Sequence, residues 1–74
     1  MSERIEVLVE RQSGRILEAR IGGFDRPRSH QRVRRLESAD ELNRFDFDRV
    51  PCTVSPNIRI LPEFWVKRAR KVLE

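Results

Sequence analysis

Five arginines, Arg26, Arg28, Arg32, Arg34 and Arg35, fall within ten residues that contain no acid. Four more cations, Lys67, Arg68, Arg70 and Lys71, crowd the C-terminal end. Arginine supplies 14 of the 16 cationic side chains, and its planar fork grips phosphate or carboxylate bidentately with little loss of order. The chemistry that suits this composition is binding of a polyanion. The Arg26–Arg35 segment and the basic face of the final cations are expected to form one surface that contacts nucleic-acid backbone, with a steep salt dependence. The alternative is a solvated surface, partly neutralised by neighbouring acids. All four Phe and the single Trp lie outside the arginine block, so a stacking platform for single strands has no obvious members. Backbone contact is therefore favoured over base readout.

Other chemistry is thinly represented. Glu37, Asp40, Glu41, Asp46 and Asp48 form an acidic stretch interrupted by Arg44. Within it, Asp46-Phe47-Asp48 sets an aromatic between acids: Phe47 either folds under into the core or stands exposed as a protein-contact anchor with an acidic rim. A calcium site would need further oxygen ligands in loop order after Asp48, and none follows. His30 sits in the arginine block with no partner for acid–base work. Cys52, the one cysteine, can form no internal disulfide, and one Cys with one His makes no zinc set. No catalytic residue, metal or cofactor is expected, and the chain is read as non-enzymatic.

The frame that must position these residues is small. The chain has 74 residues, a formal net charge of +4, and equal hydrophobic and charged fractions of 38%, which allow one domain over residues 1–74 and no substrate-sized cavity. No apolar run exceeds three residues (Val7-Leu8-Val9, Phe64-Trp65-Val66), so neither a membrane span nor a signal-peptide core is expected, and the location is read as cytoplasmic.

Ile5, Val7 and Val9 alternate with Glu6, Leu8 and Glu10, and Leu17, Ala19 and Ile21 alternate with Ile16, Glu18 and Arg20. This period of two predicts a β-hairpin. A three-residue loop, Gln12-Ser13-Gly14, is favoured because it pairs Val9 with Leu17, Val7 with Ala19, Ile5 with Ile21 and Glu6 with Arg20, and gives Gly14 the left-handed position. Leu8 and Ile16 would then share the opposite face, where they offer a homodimer contact. Gly22-Gly23, Asp25 and Pro27 break the pattern. Gln31 to Leu36 follows as a loop or an edge strand, whose charges would suit an unpaired edge.

Ser38-Ala39-Asp40-Glu41 reads as a capping box opening a short helix, over by about Phe47, with Leu42 and Phe45 on one face. Val50 to Val54 and Asn57 to Ile60 flank a Ser55-Pro56 turn, and at least the second is expected to be a strand. Pro62 then starts a helix in which Trp65, Val66, Ala69, Val72 and Leu73 share a face opposite the cations. Trp65 serves as a core residue or, if exposed, as a binding hot spot.

The assembled expectation is α+β: a small antiparallel sheet, the N-terminal hairpin plus one or two further strands, packed against the C-terminal helix through Trp65, Ala69 and Leu73, with the short helix capping an edge. Two function classes fit it. One is a small regulatory protein that binds nucleic acid through Arg26, Arg28, Arg32, Arg34, Arg35, Lys67, Arg68, Arg70 and Lys71. The other is an inhibitor or adaptor docking on a nucleic-acid machine, such as RNA polymerase or an RNA-guided defence complex, by β-augmentation at the exposed hairpin edge.

Overall fold

A computed structural model describes residues 3–74. Five strands, β1 (Ile5–Glu10), β2 (Ile16–Ile21), β3 (Gln31–Leu36), β4 (Cys52–Val54) and β5 (Ile58–Arg59), form one sheet in the order β3-β1-β2-β4-β5. A 3₁₀ helix, η1 (Ala39–Arg44), and an α-helix, α1 (Pro62–Leu73), complete the chain. The architecture is α+β, as the alternation and the C-terminal periodicity predict. All strand pairs are antiparallel except β2 with β4. That parallel pair forms because the chain after β3 passes through η1 before it returns to the sheet beside β2.

Cross-strand pairing sorts the side chains into rows. Leu36, Ile5, Ile21, Val54 and Ile58 make one apolar row across all five strands, and Arg34, Val7, Ala19 and Cys52 make the next. Arg32, Val9 and Ile16 form a third. Helix α1 covers this face. Trp65 and Ala69 are fully buried on it, and the Trp65 indole Nε1–H donates to the Thr53 carbonyl at 3.0 Å. Phe47 packs on Trp65 with ring centroids 5.0 Å apart. Val72 and Leu73 pack on the rim of the same cluster.

Hairpin pairing follows the expected faces at Ile5–Ile21, Glu6–Arg20 and Val7–Ala19, but not at Val9, which faces Ile16 instead of Leu17. The connection is one residue longer than expected: Gly14 N–H donates to the Glu10 carbonyl and Glu10 N–H to the Arg15 carbonyl, both at 2.9 Å, leaving Arg11 to Gly14 in the loop. A bulge at Leu17 takes up the extra residue, so the face pairing nearer Ile5 is unchanged. Gly14 has the left-handed φ of 75° the turn requires. The bulge also turns Ile16 onto the core side, so it does not join Leu8 in an outward pair that could close a homodimer.

Gln31–Leu36 is an edge strand, paired to β1 alone. Both hairpin strands are consequently interior, and the free edges are β3 and β5. The hairpin edge expected to extend a partner's sheet is occupied. Ser38 makes no side-chain cap, and the short helix is 3₁₀, ending at Arg44 rather than near Phe47. In the tighter turn the Glu41 carboxylate accepts from Glu37 N–H at 2.7 Å, one residue earlier than a capping box places it. Both segments flanking Ser55-Pro56 are strands. Where β2 ends, Gly22 (φ 131°) lies so close to Ser55 that an added Cβ would stand 2.9 Å from the Ser55 Cβ. Among the described residues no helix is long and apolar enough to cross a membrane.

Candidate nucleic-acid interface

The cations anticipated from sequence separate into several settings. Arg26 and Arg28 are exposed in the connection from β2 to β3, where Arg28 N–H donates to the Gln31 side chain. Strand alternation sends Arg32 and Arg34 to the helix side of β3 and Arg35 to the other face, opposite Glu6. Arg35 also lies 3.9 Å from Glu37. On α1, Lys67 and Lys71 point away from Trp65 and Ala69, and Arg68 and Arg70 flank them. η1 packs against both β3 and α1, and the C-terminal ends of β3 and α1 line one cleft through Arg35, Leu36, Val72 and Leu73. Phe47 is only 4% exposed, so it is a core residue and not a contact anchor. Trp65 is core too.

The structure assembles a different basic cluster. An open groove of about 610 Å³ runs along the bulged end of β2. Its rim carries exposed Arg15, from the hairpin, and exposed Arg44 and Arg49, from either side of the turn after η1. Its floor is apolar, with half-buried Ile16, Leu17, Phe45 and Val50. Each element contributes for a local reason. The bulge sets Ile16 and Leu17 at the groove. Phe45 adopts extended backbone where η1 stops, and Asp46 folds the next turn by accepting from Asp48 N–H at 3.0 Å.

Asp46 is the one acid at this groove, and part of its carboxylate is engaged in that turn. Arg34 approaches from the strand side, its guanidinium carbon 5.5 Å from the Phe45 ring centroid, a cation–π distance. Arg32 shares the row that ends in Ile16. Among the described residues the ion pairs are Arg4–Glu6, Arg20–Glu18 and Arg35–Glu37, so Arg15, Arg32, Arg34, Arg44 and Arg49 engage no carboxylate. These five cations remain available to an external anion.

Arg15, Arg44, Arg49 and Phe45 belong to no sequence motif. Arg44 and Arg49 sit in or beside the acidic stretch, where local composition suggests cancellation. The available signal is that these two cations bracket Phe45 and precede Val50, an apolar pair that a short segment must turn toward the core.

No group that could perform covalent chemistry lies here. Cys52 is buried away from the groove lining, with its thiol pushed up to about 11 by burial, opposed in part by the Arg59 charge. Its Sγ–H points to the Val50 carbonyl at 3.3 Å. His30 is exposed. No group of three or more His, Cys, Asp or Glu that could hold a metal occurs among the described residues. Comparison with protein-family models, curated proteins and solved structures returns no match to this chain.

Proposed function

We propose that this chain is a small, non-enzymatic regulatory protein of the cytoplasm that contacts nucleic-acid backbone through an arginine-lined surface. The observation that carries the reading is the convergence of Arg15, Arg44 and Arg49 on one groove with no ion-pair partner among the described residues. Guanidinium groups left unpaired beside one another repel, and a bound polyphosphate chain relieves that repulsion while releasing counterions. Arg32 and Arg34 extend the same face of β3, and exposed Arg26 and Arg28 lie just before it. The test is fluorescence polarisation against random-sequence duplex DNA, single-stranded DNA and RNA at two salt concentrations. Binding should be measurable at about 50 mM salt and fall steeply by about 200 mM. No binding to any of the three at the lower salt refutes the proposal.

A second reading, docking as an inhibitor or adaptor on a nucleic-acid machine, has its own observation. Ile58, on the edge strand β5, and Leu61 and Phe64, which follow it within seven residues of chain, are 58%, 59% and 52% exposed. Large apolar side chains at and just after an open strand edge suit a protein partner. Crosslinked pull-down after nuclease digestion separates the readings, because a nucleic-acid bridge is lost and a direct protein contact survives.

A further inference from the structure

The groove is not uniformly basic. Its rim is cationic and its floor is apolar, and the two halves ask for different parts of a ligand. Duplex nucleic acid keeps its bases stacked inside and presents phosphates, so it could use the rim but leave Phe45, Ile16 and Val50 unsatisfied. An unpaired nucleotide has both parts: a flat, weakly solvated base and the phosphates on either side of it. Phe45 is the aromatic placed for this. Phe47 is buried, Phe24 lies under Arg20 on the opposite face, and Phe64 lines no part of this groove.

We infer that the groove takes an unpaired nucleotide of a single strand, with its base laid against Phe45 and its flanking phosphates on Arg15, Arg44 and Arg49, given that the protein binds nucleic acid at all. Arg34 lies over the Phe45 ring and Phe47 packs against it at 6.1 Å, tilted by 55°, so the base meets the groove-facing part of the ring that these two leave. The preference is for single strands over duplex at equal phosphate number, with little sequence discrimination, because every base has a π-face. It departs from the expectation drawn from sequence, where the aromatics stood outside the arginine block.

The experiment compares the wild-type protein on four fluorescent probes of equal length at low salt: oligo-dT, oligo-U, an abasic deoxyribose-phosphate strand and a duplex. Oligo-dT or oligo-U, or both, should bind about tenfold or more tightly than the abasic strand and the duplex, the gain expected of at least one stacked base. Which of the two is tighter identifies the natural strand as DNA or RNA. Phe45→Leu, checked for folding by circular dichroism, should bring the base-bearing strands down to the abasic affinity and leave the duplex unchanged. If all four probes bind equally, the base contact is absent while backbone binding stands. If polyglutamate displaces oligo-dT as well as unlabelled oligo-dT does, the site reads charge alone and the inference falls. Binding to no probe removes the nucleic-acid reading together with the inference. The abasic comparison needs no variant, so a Phe45→Leu protein that fails to fold leaves the test intact.

Discussion

The two faces of the sheet use their charges in opposite ways. On the face without a helix, Arg35, Glu6, Arg20, Thr53 and Arg59 stand side by side across the five strands. Glu6 is buried between two arginines, accepts from Phe24 N–H at 2.9 Å and lies 3.8 Å from Arg4. Arg20 binds Glu18 at 2.8 Å and covers the Phe24 ring at 4.6 Å. On the helix face, Arg32, Arg34 and the groove arginines engage no carboxylate among the described residues. On the first face the ion pairs join residues two apart along the chain and engage Arg4, Arg20 and Arg35, whereas Arg32 and Arg34 share rows with Val9, Ile16, Val7 and Ala19 and stay open.

Substitutions can break this contrast. Trp65→Ala should have the largest effect, about 3 to 5 kcal/mol for a buried tryptophan, a large share of the roughly 4 to 11 kcal/mol expected of a domain this size. Urea unfolding should find a midpoint far below that of the wild type, which would show that the helix face carries the core. Arg44→Glu with Arg49→Glu should weaken oligonucleotide binding by about 100-fold, about 2.7 kcal/mol, and shift stability by no more than about 0.5 kcal/mol. Polarisation and thermal melts on the same sample would measure both.

The converse holds on the opposite face. Glu6→Ala leaves the Phe24 amide unpaired and removes the acid between two arginines, and should cost about 1 to 3 kcal/mol with oligonucleotide affinity unchanged. If the Glu6 variant lost binding and the Arg44/Arg49 variant lost stability, the division of labour between the faces would be refuted.

The smallest effect belongs to Cys52 and is absent at neutral pH. Its thiol titrates higher in the folded chain, at about 11 against an ordinary 9.0, because burial disfavours the thiolate. The fold thus binds this proton more tightly than the unfolded chain does. The associated stability is complete below pH 9.0 and is lost as pH climbs toward 11. Denaturant midpoints should fall less steeply over that range for Cys52→Ala than for wild type.

Much of the fold was legible because it rests on short-range pattern. The alternation around Val7 and Ala19, the edge character of Gln31–Leu36, and the Trp65–Ala69 face of the last helix all depend on residues that are near neighbours in sequence. The groove was not legible because its parts come from residues 15, 44–45 and 49–50, joined by a bulge and by a turn that no periodicity marks. Leu17 illustrates the limit: one unpaired residue there exchanges the roles of Ile16 and Leu17. Phe47 illustrates another. Its two acidic neighbours are exposed, yet the ring between them turns inward to Trp65, since a turn can point adjacent side chains in opposite directions.

Compensation between the hairpin loop and the Leu17 bulge bears on tolerance to insertion and deletion. Deleting one loop residue together with the bulge would restore a simple ladder without disturbing the pairs from Leu8 to Ile5, and an added residue would extend a loop that is already solvent-exposed. Length change at Gln12 should thus cost the fold little, whereas loss of the bulge would exchange Ile16 and Leu17 at the groove floor. Exposed Gln12 suits attachment of a fluorophore better than Ser13, whose hydroxyl donates to Glu10 and accepts from Arg15 N–H, and a dye there would report occupancy from two residues before Gly14 at the groove.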